Sequence, residues 1–154
     1  MTPSITPAAI VAEAMSWIGT PYLHQASLKG MGCDCLGLIR GVWRAFYGEE
    51  PEAAPPYTPD CAEASATETL TEAAARNMIA IAVDEARAGD VLLFRWRDAL
   101  PAKHIGILVL AGKASAAGGP LHGRFVHAQQ GAAVSLATLT PWWRRRAAYA
   151  FRFP

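Results

Sequence analysis

Apolar residues recur at helical spacing near the start of the chain, at Ile10, Val11, Ala14, Met15 and Ile18. Thr6-Pro7 precedes them, a side-chain cap followed by a proline at a position whose N–H has no helical partner, and Gly19 ends the run. A loop is expected from Thr20 to Gly32. A second helix is expected over Cys35–Tyr47, capped by Asp34 and stopped by Gly48, with Ile39, Val42, Trp43 and Phe46 on one face and Arg40 and Arg44 on the other. Pro51, Pro55, Pro56 and Pro59 make residues 49–60 an irregular connection, and the Ala- and Glu-rich stretch 62–77 predicts a third helix.

Beyond residue 80 the period shortens. Val91–Phe94, Ile105–Leu110, Gly123–Gln129 and Ala147–Phe153 read as short strands separated by turns containing Gly or Pro. Helices first and strands afterwards imply an α+β fold, with N-terminal helices packed on a mainly antiparallel sheet. No repeat or low-complexity linker divides the chain, so residues 1–154 are read as one domain.

Composition narrows the function. Apolar residues make up 52% of the 154, enough for a sizeable core, and the net charge is +1. That charge offers no footprint for nucleic acid or an anionic membrane surface. No apolar run approaches the ~18 residues of a membrane span. No basic-then-apolar leader follows Met1, so synthesis in the cytoplasm without a signal peptide is expected. Three cysteines, Cys33, Cys35 and Cys61, are an odd number, which leaves at least one thiol free and turns the question to reactivity.

Cys35 falls in the first turn of the helix that Asp34 caps. Unpaired amides and the positive end of the helix dipole there favour a thiolate, which would lower the sulfur's pKa and make it a nucleophile. Gly37 would leave space beside the sulfur for a substrate backbone. Cys33 precedes the cap and lacks this benefit. A thiolate needs a proton carrier. His104 opens an apolar strand with Gly106 two residues on, where an imidazole can serve as base and then acid. His127, on the next strand with matching alternation, could orient that ring. His122 reads as a solvated turn residue and Cys61 as incidental. Trp142 and Trp143 read as packing against the sheet, with contact to a sugar as the alternative, and Arg144-Arg145-Arg146 as a solvated edge, with contact to a polyanion as the alternative.

Five segments together resemble the NlpC-type peptidases, the bacterial papain-like family that degrades cell-wall peptides. They are Trp17–Tyr22, Gly32–Leu38, Gly89–Phe94, Lys103–Gly106 and Phe125–Ala128, in the family's order and spanning most of the chain. The resemblance implies Cys35 as nucleophile, His104 as base and His127 as the orienting residue. It implies Tyr22 near the sulfur as an oxyanion or substrate contact, and Asp34 in the pocket that receives the amino end of a stem peptide. It implies no metal and no organic cofactor, with the D-γ-glutamyl–diaminopimelate bond of peptidoglycan as the target. Leu36 stands where the family commonly has Ser, and Cys33 is an addition. His24-Gln25, Cys33-Asp34-Cys35 and the Trp-Trp-Arg-Arg run resemble the branch found with phage tails and gene-transfer agents, which implies tail proteins as partners and a particle tail as the place of action. Alternatives are a papain-like thiol acyltransferase or amidase acting on a lipid or small amide, a tail structural protein with a vestigial site, and a zinc domain built on Cys33, Cys35, Cys61 and a histidine, for which Cys-x-Cys is poor spacing.

Overall fold

The protein is described by a computed structural model covering residues 5–53, 69–115 and 118–154, with the side chains of 113–119 left out of the description. The helices are α1 (Pro7–Met15), α2 (Cys35–Tyr47), α3 (Thr69–Asn77) and α4 (Pro141–Arg146). The strands are β1 (Ser27–Leu28), β2 (Gly32–Cys33), β3 (Ile79–Ile81), β4 (Val91–Phe94), β5 (His104–Ser115), β6 (Gly118–His127), β7 (Ser135–Thr138) and β8 (Ala147–Arg152). Strands β1 and β2 form a small hairpin, while the main sheet runs β3-β8-β4-β5-β6-β7. Every neighbouring pair in it is antiparallel. The α+β architecture is the one the hydrophobic pattern implies.

Both helix starts are capped as expected. The Thr6 hydroxyl accepts from Ala9 N at 3.1 Å, and Asp34 Oδ1 accepts from Gly37 N at 2.7 Å. α1 closes earlier than its apolar period suggests, at Met15, and Trp17 turns in to join the core. Of the expected helix 62–77, residues 69–77 form α3, while 62–68, Cys61 and most of the proline-rich connection lie outside the described residues.

β4 explains its own sequence. Val91 and Leu93 face α1 and α2, in a core with Ile10, Leu38, Val42, Ile105 and Ile107. Leu92 and Phe94 face the other way, against Leu108, Phe125, Leu139 and Ala150. Covered on both faces, a central strand reads as an unbroken apolar run rather than an alternating one. Asp90 just before it is buried and accepts a two-pronged bond from Arg152 (Nε to Oδ1 and Nη2 to Oδ2, both 2.9 Å), while Oδ2 also takes Arg87 N. The Gly-Asp turn is thereby tied to β8.

Candidate active site

The β1–β2 hairpin fixes the start of α2. Asp34 N bonds to Ala26 O, Ser27 Oγ donates to Gly37 O at 2.6 Å, and Arg44 Nη2 donates to both Ser27 O and Ser27 Oγ. The hairpin lies so close that a Cβ at residue 37 would stand 1.9 Å from Ala26 O. Gly37 is therefore required by the protein's own loop backbone. The expectation that it opens space for a substrate is corrected.

Asp34 is 2% exposed, and both its carboxylate oxygens hold main-chain amides: Oδ1 that of Gly37 and Oδ2 that of Gln25, at 2.8 Å. Gln25 has φ +66°, left-handed backbone that a non-glycine residue adopts at a cost. The neighbouring His24 puts Nδ1 3.8 Å from Asp34 Oδ2.

Cys35, the first residue of α2, approaches the start of β5. Its Sγ donates to Lys103 O at 3.8 Å, and the backbone amides of Ile105, Leu36 and Cys35 itself favour a thiolate. Those amides lower the thiol's pKa, as the helix-start reasoning anticipates. Burial and the nearby Asp34 carboxylate oppose them and win, pushing the thiol up to about 12. Cys35 is partly exposed to a cavity, yet protein atoms crowd its sulfur. Against the expectation of a depressed thiol pKa, burial and the Asp34 charge outweigh the helix-start amides. Cys33 is fully buried at the end of β2, and burial raises its thiol to about 11.

His104 opens β5 opposite Phe94, and His127 ends β6 opposite Gly106. The two rings meet, with His104 Nε2 2.8 Å from His127 Nδ1. This leaves Nδ1 of His104 for any partner on its other side. Both residues are buried, at 5% and 3% exposure. Burial is the largest influence on each and lowers His104 to about 3, with the charges of His127 and Lys103 adding to it, and His127 to about 4. Gly106 has a packing reason: a Cβ there would meet Phe125 Cδ2 at 2.6 Å.

Aromatic rings enclose the pair. Trp143 stacks on His104 at 5.6 Å and meets His127 edge-on at 5.3 Å, while Trp96 stacks on His104 at 5.3 Å. Trp143 packs against the sheet as expected, whereas Trp142, expected to do the same, is left 44% exposed. Trp96 is a site residue the sequence reading missed, since nothing in Arg-Trp-Arg directly after a strand distinguishes a ring over the site from a surface ring. His122 is exposed as expected, although it lies in β6.

Tyr22 pairs with Cys33 across an isolated bridge. Burial first, then the charges of Cys35, Asp34 and Cys33, raise its hydroxyl to about 12, so it stays a hydrogen-bond donor at any working pH. Tyr22, Asp34, Cys35 and His104 all line one cavity of about 650 Å³, with Trp96 and Gln129 also on its wall. Among the described residues no three His, Cys, Asp or Glu side chains come together to hold a metal ion. No helix among them is long and apolar enough to cross a membrane.

The NlpC/P60 family model matches residues 19–152. The crystal structure of the NlpC/p60 domain of the peptidoglycan hydrolase SagA is similar, with a TM-score of 0.64 and 25% identity over 97% of this chain and 100% of that one. An NlpC/P60 family protein from Bacillus cereus ATCC 10987 has a TM-score of 0.65 at 18% identity, covering 98% of this chain and 41% of that one. NlpC1 from Trichomonas vaginalis has a TM-score of 0.58 at 15% identity, covering 99% and 45%. The chain thus spans less than half of those two proteins, and at such identities they share its fold. No curated protein sequence matches it.

Proposed function

The chain belongs to the NlpC/P60 family, and from that premise we propose that it is a cysteine peptidase that hydrolyses peptidoglycan stem peptides, with Cys35 as nucleophile, His104 as base and His127 as the residue that orients the base. The observation that carries this reading is the buried His104 Nε2···His127 Nδ1 contact at 2.8 Å, on the strand that starts directly after Lys103, whose carbonyl lies 3.8 Å from the Cys35 sulfur.

The resting pair is neutral thiol and neutral imidazole, so the proton moves during attack. As sulfur adds to the peptide carbonyl carbon, its proton passes to His104. The positive charge formed there is met by Nδ1 of His127, which accepts a hydrogen bond from His104 Nε2–H. In this reading the amide at the start of α2 and the hydroxyl of Tyr22, which lines the same cavity, donate to the developing oxyanion, a contribution of roughly 3–4 kcal/mol per donor. Collapse expels the amine, which takes the proton from His104 and leaves a thioester on Cys35. Water then attacks the thioester, giving its proton to His104, and the released thiol recovers it. No electron carrier or metal enters this cycle.

Asp34 is better suited to anchoring than to receiving an amino end, because both its oxygens already hold backbone amides. The bond assigned is D-γ-glutamyl–diaminopimelate, on the family resemblance. A particle tail, with tail proteins as partners, is assigned on His24-Gln25, Cys33-Asp34-Cys35 and the Trp142–Arg145 run. A second reading, thiol acyl transfer on a lipid or small amide, is favoured by the apolar side chains of Leu36, Ile39, Trp43, Leu70 and Met78 on the cavity wall. Incubation with purified peptidoglycan, followed by mass spectrometry of the muropeptides, tests the choice. Cleaved stems are expected, lost in Cys35→Ala and mostly kept in Cys33→Ala. Intact stems alongside turnover of a fatty-acyl amide would select the second reading.

A further inference from the structure

We propose that the surface beside the cavity, built on Trp96, Trp142 and Arg146, binds the glycan strand from which the stem peptides hang, so that polymer and scissile peptide are held together. The proposal rests on reading the cavity as a stem-peptide site.

The two adjacent tryptophans of α4 have different fates. Trp143 turns inward among Phe94, Phe125 and the histidines. Trp142 is left 44% exposed. It is nonetheless held in place: the Arg146 guanidinium lies 3.6 Å from its ring centroid, and Arg146 Nη1 donates to Trp142 O at 2.9 Å. A large indole fixed at the surface loses little freedom on binding, which favours its use as a contact. Trp96 lies 6.2 Å from Trp142 and 5.3 Å from His104, and it lines the cavity. Aromatic surface thus continues from the proposed base to open solvent.

Arginines frame these rings. Arg95, Arg145 and Arg146 line a neighbouring depression of about 320 Å³, with Asp98 as the carboxylate on its wall, and Arg97 is exposed nearby in sequence. On a chain whose net charge is +1, this is a local concentration of positive charge. Pyranose rings present flat C–H faces that suit indoles, and uncut stems along a strand carry carboxylates that suit the guanidinium fork. A peptidoglycan strand offers both at sugar-to-peptide spacing, and a simple polyanion offers the second alone.

The test uses the inert Cys35→Ala chain and glycan strands stripped of stem peptides, with Kd measured by calorimetry. The expected result is binding that weakens at least tenfold in Cys35→Ala/Trp142→Ala and is largely restored in Cys35→Ala/Trp142→Phe. It also weakens in Cys35→Ala/Arg146→Ala, where the Trp142 ring is no longer fixed. Thermal midpoints confirm that each variant is folded. Absence of binding, equal binding by the Trp142→Ala variant, or complete displacement of the strands by DNA or polyphosphate would overturn the proposal. Cleavage of a soluble stem tetrapeptide by the wild-type chain is measured in parallel. Stems cut without glycan binding would sink this inference alone, and glycan bound without stem cleavage would sink the peptidase reading instead.

Discussion

Asp34 offers a sharp separation between an anchoring and a substrate-binding role. Asp34→Ala removes the acceptor for Gly37 N at the first turn of α2 and the acceptor for Gln25 N in the adjoining loop. Loss of a helix cap costs about 1 kcal/mol, and loss of a hydrogen bond to a charged acceptor costs roughly 1.5–3 kcal/mol. The unmade contact at Gln25 also releases a left-handed residue held at φ +66°. A total of about 3 kcal/mol follows, which at roughly 2–4 °C per kcal/mol in a chain of this size lowers Tm by about 6–12 °C. Asn caps helices as well as Asp does, so Asp34→Asn is expected to recover about 1 kcal/mol of the loss. Urea titration of the three proteins measures these differences, with KM for a stem tetrapeptide as the companion readout. Stability unchanged in Asp34→Ala, with KM raised alike in both variants, would refute the anchor and make the carboxylate a receptor for the substrate's amino end.

His127→Ala is expected to lower kcat by on the order of 10²-fold while leaving KM near its original value, because the ring acts through His104 rather than on substrate; steady-state kinetics on the tetrapeptide decide, and unchanged kcat would remove His127 from the mechanism. The same pair sets a pH dependence. His104 and His127 are lowered to about 3 and about 4 from an ordinary value near 6.5, so below that value the unfolded chain takes up protons that the folded chain refuses. Their contribution to stability is full above about pH 6.5 and lost as pH falls toward 4 and 3. Urea midpoints should drop between pH 7 and 4.5, less steeply in His104→Ala, and the acid limb of kcat/KM should lie below 6.5; a flat midpoint or an acid limb at 6.5 would contradict the assignment.

Much of this was legible in the sequence because it is written in local rules. Thr6-Pro7 and Asp34 announce their helices by side-chain capping, and Val91–Phe94 announces a doubly covered strand by its unbroken apolar run. His104 and His127 could be matched because alternation and adjacency place them on one face of neighbouring strands. What escaped depends on distant partners. The reason for Gly37 is Ala26 O, supplied by a hairpin that two-residue strands do not advertise. The Cys35 thiol pKa is decided by burial and the Asp34 charge, which outweigh the helix-start amides visible in the sequence. Trp96 reaches His104 only through the path of the chain between β4 and β5. β3 and β7 are short and lie at the two edges of the sheet, where little burial marks them.

Covalent catalysis by Cys35 is tested most directly by acid-quenching the protein during turnover of a stem tetrapeptide and measuring the mass of its cysteine-containing peptides. The expected result is a thioester on the peptide holding Cys35, heavier by the amino-terminal half of the substrate less one water, and absent from Cys35→Ala. Turnover with no adduct, or with the adduct on another residue, would contradict it.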